Sequence, residues 1–327
     1  MKKSFDTDYG SNVKEIWRDP HKVIFQMENE TGVGTMTQWE LFPGVIIMQN
    51  DFHMAYCDSQ FNPDMDMLCI DHCREGRIEW ELSERTCYYV EAGDLNIATR
   101  RNHGHSFTFP LSHYHGFTIG IALDEAARQL PQILGGIPVD LHALRDRFCA
   151  DGTPFIAVAH RLRGLDLSGM YIMPEKGRLA YYRVKMLEIL LYLAGMEVTR
   201  DALEGRYFYR TQVQAVKEIM RFMTENIHRR YTMQELSERF EIPMTAMKQC
   251  FKGVYGNSVY SYMRTYRMNA AAVLLRSGNC PISEIAAQMG YDNASKFSAA
   301  FKDVLGETPS EHRRAHTIRC PIGASKR

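Results

Sequence analysis

The chain has 327 residues, with 39 Lys+Arg against 39 Asp+Glu and 45% hydrophobic residues. That length predicts about two domains, and no run of 18 apolar residues is present to predict a membrane span. The neutral total excludes a uniformly basic nucleic-acid binder but hides a local imbalance: from Gln214 onward there are 17 Lys+Arg against 10 Asp+Glu, about +7, whereas the rest holds 22 against 29, about −7. Such asymmetry points to nucleic acid or a membrane as the partner of the basic part.

The chain opens "MKKSFDTDYGSN", where two lysines are followed by no apolar core, so no signal peptide is expected. Eight Cys are scattered without a C-x-x-C pair. That spacing argues against a zinc knuckle or a secreted disulfide scaffold and favours a reduced, cytoplasmic setting. Short β-rich runs then recur over the first 120 or so residues: "GVIIMQNDF", "MDMLCIDHC", "RIEWEL", "CYYVEAGDLNIAT", "HSFTFP" and "HGFTIGIALD". Turn signals at Arg74-Glu75-Gly76 and at Glu91-Ala92-Gly93-Asp94 separate them, a pattern that predicts a sandwich or barrel.

Polar and aromatic residues on these runs are candidate ligand-binding groups: His72, Arg77, Glu79, Trp80, His103, His105 and Tyr114. Each is equally a candidate for a structural or surface role. His103-x-His105 and His113-x-His115 are the tempting metal pairs, because residues i and i+2 share one face of a strand. The segment after His105 reads "SFTFPLS" and supplies no acidic ligand. No metal, no cofactor and no catalytic residue are therefore expected.

From Leu123 onward the pattern turns helical, with "DEAARQLPQIL", "PVDLHALRDRFCA" and "GRLAYYRVKMLEILLYLAGME". The last carries Leu179, Tyr182, Met186, Ile189, Leu190 and Leu193 along one stripe. That stripe reads equally as a helix packed on the barrel and as a dimerisation face. Residues 204–213, "EGRYFYRTQV", read as the connection to the C-terminal part of the chain.

The remaining chain holds two similar helical pairs. In the first, Thr232 and Glu235 form a capping-box signal, and Met233, Leu236 and Phe240 make the inner face of a short helix. After Pro243 comes a second helix with Met247, Cys250, Phe251 and Val254 inside and Thr245, Lys248, Gln249 and Lys252 outside. In the second pair, Ile282, Ile285, Ala286 and Met289 share a face, and Gly290 marks the break. Asn293 is a good N-cap for the next helix. Its inner face holds Ala294, Phe297, Ala300, Phe301 and Val304, and its outer face Ser295, Lys296, Ser298, Ala299 and Lys302, closed by Gly306 and Pro309. At the first turn Ala294 also counts towards the outer, groove-facing set. Aligning Phe251-Lys252 with Phe301-Lys302 superimposes the pairs, and "SVYSYMRTYRMNAAAVLLR" between them, free of Gly and Pro, reads as one long helix. Two helices joined by a tight Gly-containing turn suit a helix-turn-helix.

Residues about 214–314 resemble the DNA-binding domain of AraC-type transcriptional regulators, through "MKQCFKGVYGNSVYSYMRTYRMNAAAVLL" and "ISEIAAQMGYDNASKFSAAFKDVLGETPSEHR". The resemblance implies two helix-turn-helix units bridged by the long helix, each placing a recognition helix in successive major grooves of double-stranded DNA. Three positions depart from the family pattern. Pro243 stands where a Ser commonly caps the first recognition helix, and Gln249 and Ala299 stand where an Arg is common ahead of Phe-Lys. The pieces "HCREGRIEW", "AGDLNI" and "HYHGFTIGIALD" resemble, more loosely, the cupin-like sensor half of many such proteins.

The expected fold class is therefore multidomain α+β. A cupin-like sensor barrel over 1–122 is followed by a helical dimerisation or linker region over 123–205 and a double helix-turn-helix domain over 206–316. The leading function is a sequence-specific DNA-binding regulator, an activator responding to a small-molecule effector in the barrel, working as a homodimer with RNA polymerase and without a membrane. The alternatives are a regulator whose barrel only dimerises and a cupin enzyme fused to a DNA-binding module.

Overall fold

The structure of the protein, a computed structural model, describes residues 9–60, 65–100, 106–134, 139–149, 154–157, 162, 164–198, 207–277 and 280–316. The strands are β1 (Val13–Arg18), β2 (Lys22–Asn29), β3 (Gly32–Phe42), β4 (Val45–His53), β5 (Tyr56–Asp58), β6 (Met67–Ser83), β7 (Thr86–Glu91), β8 (Leu95–Thr99), β9 (Ser106–Thr108), β10 (Tyr114–Ala122), β11 (Phe155–Ala157) and β12 (Tyr207–Tyr209). The helices are α1 (Leu123–Leu134), α2 (Leu141–Cys149), α3 (Gly169–Ile172), α4 (Glu175–Gly195), α5 (Arg210–Glu225), α6 (Met233–Arg239), α7 (Met244–Tyr255), α8 (Val259–Ser277), α9 (Ile282–Gln288), α10 (Ala294–Leu305) and α11 (Pro309–His316). The chain divides into two compact units, Met1–Phe208 and Tyr209–Arg327.

The first unit is built on a curled antiparallel sheet in the order β1-β2-β3-β4-β10-β6-β7-β12, with β8 and β9 also pairing with β6. Strand β6 organises the curl. Its first half lies between β10 and β8, and its second half pairs with β7 and touches β9. The sequence expectation of a turn at Arg74-Glu75-Gly76 is corrected here: β6 runs straight through. Gly76 adopts φ +85°, and a Cβ there would lie 2.2 Å from the His113 carbonyl oxygen. A glycine lets the strand bend without breaking. The turn at Glu91–Asp94 does form, between β7 and β8.

Side chains alternate between the two faces at period two. On β4, Val45 and Ile47 join Leu68 and Ile70 on one face. Met48 and Phe52 join Ile78 and Trp80 on the other. The first face is covered by helices, through Leu130 of α1, Leu144 and Phe148 of α2, and Tyr182, Met186, Ile189, Leu190 and Leu193 of α4. Trp39 meets Tyr182 edge to face at 5.3 Å. The α4 stripe therefore faces its own sheet, which excludes it as a surface for a second copy. Burial of side chains this size stabilises by roughly 1.5–3 kcal/mol each, and a dimer built on the same residues would forfeit that.

Strands β1 to β3 have no counterpart among the runs read from sequence. Their inner residues include Gly34 and Gln38, which break the apolar alternation. Among the described residues, no helix is long and apolar enough to cross a membrane.

The second unit is all helical. Of the residues expected to connect the halves, 204–206 lie outside the described residues, and 207–213 form β12 and the start of α5, whose Val213, Val216, Ile219, Met220 and Met223 are buried. Thr232 and Glu235 make the full capping box on α6. Helices α7 and α10 end alike, at Gly256 with φ +81° and Gly306 with φ +82°, each N–H returning to the carbonyl of the Phe-Lys lysine, Lys252 or Lys302. The repeat thus extends from side chains to backbone caps. Pro309 does not end the structure but begins α11, a favoured place for proline, whose missing N–H is one a helix start leaves free anyway.

Candidate DNA interface and an inner cavity

Each helix-turn-helix unit buries one side of its second helix. In α7 the buried side is Met247, Cys250, Phe251, Val254 and Tyr255. In α10 it is Phe297, Ala300 and Phe301, with Phe297 and Phe301 packed on Met268, Ala272 and Leu275 of α8. Helical geometry then turns the rest outward. Thr245, Lys248, Gln249 and Lys252 are all exposed, and their spacing of i, i+3, i+4 and i+7 puts them on one face. Ala294, Ser295, Lys296, Ala299 and Lys302 are likewise exposed on α10. Ala294 belongs to this outer set only; its place in the expected inner face is corrected, because a first-turn residue precedes the point where α10 meets α8. Ser298, expected outside, is half-buried.

The two helix starts differ. Asn293 caps α10 by accepting hydrogen bonds from the Ser295 and Lys296 N–H groups at 2.8 and 3.1 Å. Pro243, at the same place on α7, makes no side-chain cap. The first N–H groups of α7 are thus open to an anionic partner such as a phosphate, which a helix N-terminus favours. Lys248 and Gln249 carry hydrogen-bonding reach at the centre of the α7 face, whereas Ala299 offers only a methyl group at the matching place on α10.

The candidate ligand residues separate by strand parity. Trp80 and Tyr114 line an inner cavity of about 120 Å³ in the first unit, together with Met27, Met36, Met48 and Phe52. Arg77 and Glu79 point the other way, Arg77 to the Glu91 carboxylate and Glu79 to the Tyr89 hydroxyl, which donates to it at 2.5 Å. His72 also misses this cavity. Its Nδ1 lies 2.7 Å from the Tyr171 hydroxyl, and its ring stacks on Phe117. Burial pulls its pKa down to about 4, so it is neutral at pH 7. It lines a separate hollow with Arg74 and Tyr171. His103 and His105 lie outside the described residues. His115 packs edge-on against Tyr171, and His113 stays near the Leu111 carbonyl.

The chemistry of the cavity rests on residues that sequence reasoning does not single out. Asp71 is 4% exposed and accepts three hydrogen bonds: from Asn96 at 2.9 Å, Arg100 at 2.7 Å and Thr118 at 2.8 Å. Asn50 donates in turn to the Thr118 hydroxyl at 3.1 Å. The Arg100 guanidinium lies 4.2 Å over the Trp80 ring. Burial works most strongly against its charge, but Asp71, together with Cys69 and Tyr88, raises its pKa overall. The nearby thiols of Cys57 and Cys69 are pushed up by burial to about 12 and stay protonated.

Among the described residues, one trio has the spacing of metal ligands, Glu307, His312 and His316. Both ring nitrogens of His312 are engaged. Arg276 Nε, always a donor, approaches Nε2 at 3.1 Å, which leaves Nδ1 to donate to Glu307 at 2.6 Å. His312 thereby ties Arg276 of α8 to Glu307 in the turn before α11, a structural role.

Comparison with known proteins agrees with the geometry of the second unit. Residues 236–315 match the family model described as a helix-turn-helix domain. The chain is 32% identical over 90 residues to an AraC-like transcription regulator of Streptomyces lividans, covering 28% of this chain and 30% of that protein. It is 31% identical over 108 residues to the HTH-type transcriptional activator RhaR of Yersinia pseudotuberculosis, covering 33% of this chain and 37% of RhaR. Among solved structures, the C-terminal domain of AraT, a response regulator from Geobacillus stearothermophilus, aligns with 28% identity over 34% of this chain and 93% of that one, at a TM-score of 0.32. The match spans about a third of the length of these relatives. The second unit carries an AraC-type helix-turn-helix domain.

Proposed function

We propose that the chain is a sequence-specific DNA-binding transcriptional regulator, an activator working with RNA polymerase, and that its first unit senses a small molecule. The observation that carries the reading is the pair of helices α7 and α10, each with a buried aromatic side and an exposed polar and basic side. Two such helices held by one long connector suit successive major grooves on one face of a duplex. RhaR, a named activator, supports the direction of regulation. The curled sheet of the first unit, read as cupin-like, supplies an inner cavity with few polar groups, the usual form of a small-molecule site. A cytoplasmic homodimer completes the proposal. No catalytic residue, metal or cofactor is assigned to it.

The test is selection of bound duplexes from a random library by the full chain, followed by affinity measurement against salt. The expected outcome is a defined sequence preference, with log affinity falling by about 0.9 per log salt for each phosphate neutralised. Absence of binding at low salt, or binding indifferent to salt, overturns the proposal.

A further inference from the structure

The connector between α5 and α6 packs on the turn of the other helix-turn-helix pair. Gly290, in the turn after α9, has φ +73°, and a Cβ there would lie 2.4 Å from the His228 carbonyl oxygen. Glycine admits both the positive φ and the close approach. The contact delivers Arg230 to that turn. Its Nε donates to the Gly290 carbonyl at 3.2 Å, and its guanidinium lies 4.8 Å over the Tyr291 ring. Arg230 is exposed, yet its guanidinium is held on one edge and one face. Its two Nη atoms have no hydrogen-bond partner among the described residues.

A second arginine lies close by. Arg267 of α8 is half-buried and donates to two carbonyls of the same connector, Ile227 at 2.9 Å and Arg229 at 2.8 Å. Burial first, and then the charge of Arg230, pull its pKa down. Neither arginine has an ion-pair partner among the described residues. Two like charges are thus held near each other without an acid, a cost that a bound anion offsets.

Arg230 lines an open hollow with His228, Ser283, Tyr291, Asp292 and Ala294. Ser283 belongs to α9 and Ala294 is the first residue of α10. In a helix-turn-helix the first helix crosses the DNA backbone and the start of the second reaches base edges. The hollow lies where those two elements meet. Resting on the DNA-binding role proposed above, we infer that it receives one phosphodiester of the duplex, held bidentately by the two Nη atoms of Arg230, and that this contact seats α10 in its groove. The planar fork of an arginine matches two phosphate oxygens. A dianion suits the hollow less well, because the Asp292 carboxylate also lines it. The contact matters most for α10, because the side chains of Ala294 and Ala299 offer no hydrogen bond to a base.

The full chain and its Arg230→Gln and Arg230→Lys variants are titrated over a salt series with the duplex selected above and with a scrambled duplex. The titration is repeated with duplexes carrying one uncharged methylphosphonate at each backbone position in turn. Arg230→Gln is expected to bind both duplexes roughly tenfold more weakly, to lower the slope of log affinity on log salt by about 0.9, and to leave base preference unchanged. Arg230→Lys, which keeps the charge but not the fork, should keep the slope and lose part of the affinity. At one methylphosphonate position per bound chain, the wild type should lose roughly tenfold and Arg230→Gln nothing further, the non-additivity of two groups in contact. Additive losses at every position, wild-type affinity of Arg230→Gln, or a changed base preference each overturn the site. If Arg230→Gln binds DNA as the wild type does but no longer supports transcription by RNA polymerase in vitro, the hollow takes an acidic protein surface and the phosphate assignment is overturned. Salt-dependent binding of the wild type with an unaffected variant overturns the site alone; failure of the wild type to bind any duplex at low salt overturns the regulatory role and the site with it.

Discussion

Gln249 of α7 and Ala299 of α10 stand at equivalent places, each two residues before a buried Phe and each exposed. One unit thus presents an amide where the other presents a methyl group. Gln can pair bidentately with adenine, and Ala can only touch a thymine methyl. Gln249→Ala is therefore expected to relax preference at one or two base pairs, at a cost of about 1–3 kcal/mol there. Lys296→Ala should weaken specific and scrambled duplexes alike, because a lysine on a phosphate positions without specifying. Binding to single-base operator variants at fixed salt checks both. A base-selective effect of Lys296→Ala with none from Gln249→Ala would reverse the roles of the two helices.

Removing one member of the Asp71–Arg100 pair leaves the other charge buried. Either Asp71→Ala or Arg100→Ala is expected to destabilise by about 3–5 kcal/mol. The double replacement should cost clearly less than the sum, because both charges go together. Urea unfolding of the four proteins in the cycle measures the coupling. Strict additivity would mean that the two side chains act independently, against the 2.7 Å contact.

The neutral state of His72 gives the first unit a pH dependence. Its folded pKa is lowered by burial to about 4, against 6.5 for the unfolded chain. A group with a depressed folded pKa takes up its proton more readily when unfolded. Stability is therefore full above about pH 6.5, falls as pH drops towards 4, and levels off below that. The loss across the window is of order 3 kcal/mol. Tyr171 faces the ring directly, and Arg74 lies over Tyr171, adding positive charge nearby. His115, also lowered by burial, adds in the same direction. Thermal unfolding of wild type and His72→Gln from pH 4 to 8 should show a shallower fall in the variant. Parallel curves would assign the dependence to other groups.

The second unit is more legible in the sequence than the first, for a physical reason. Its signals are local: Thr232 and Glu235, Asn293, Gly256 and Gly306 act within a few residues of their own helix. Even the unexpected α11 is written in that way, because Thr308 and Glu311 make the same reciprocal capping contacts. The sheet depends on distant partners. Asp71 and Arg100 meet only after β6 and β8 pair, and nothing near either residue in the sequence marks the other. The parity of β6 is equally hidden. Arg77 and Trp80 look alike as pocket candidates, yet they project to opposite faces of one strand. The Gly76 bend also disguises one 17-residue strand as two.

Helix α4 has two apolar sides with different fates. Leu190 and Leu193 are 0% and 1% exposed in the core of their own unit. Val184 and Leu191, one heptad apart, are 67% and 42% exposed. Residues seven apart share a face, the spacing by which helices pair across a seam. Dimerisation through α4 therefore has to use this outer side. Leu190→Ala should destabilise the folded chain by about 2–5 kcal/mol through the cavity it leaves, without altering the dimer constant once folding is allowed for. Val184→Glu with Leu191→Glu should leave thermal stability of the isolated chain nearly unchanged, because neither side chain is buried in its own unit, and should shift the sedimenting species from dimer to monomer. Sedimentation velocity over a concentration series, with calorimetry on the same samples, separates the two effects. A double variant that still sediments as the wild type does would place any self-association elsewhere on the molecule.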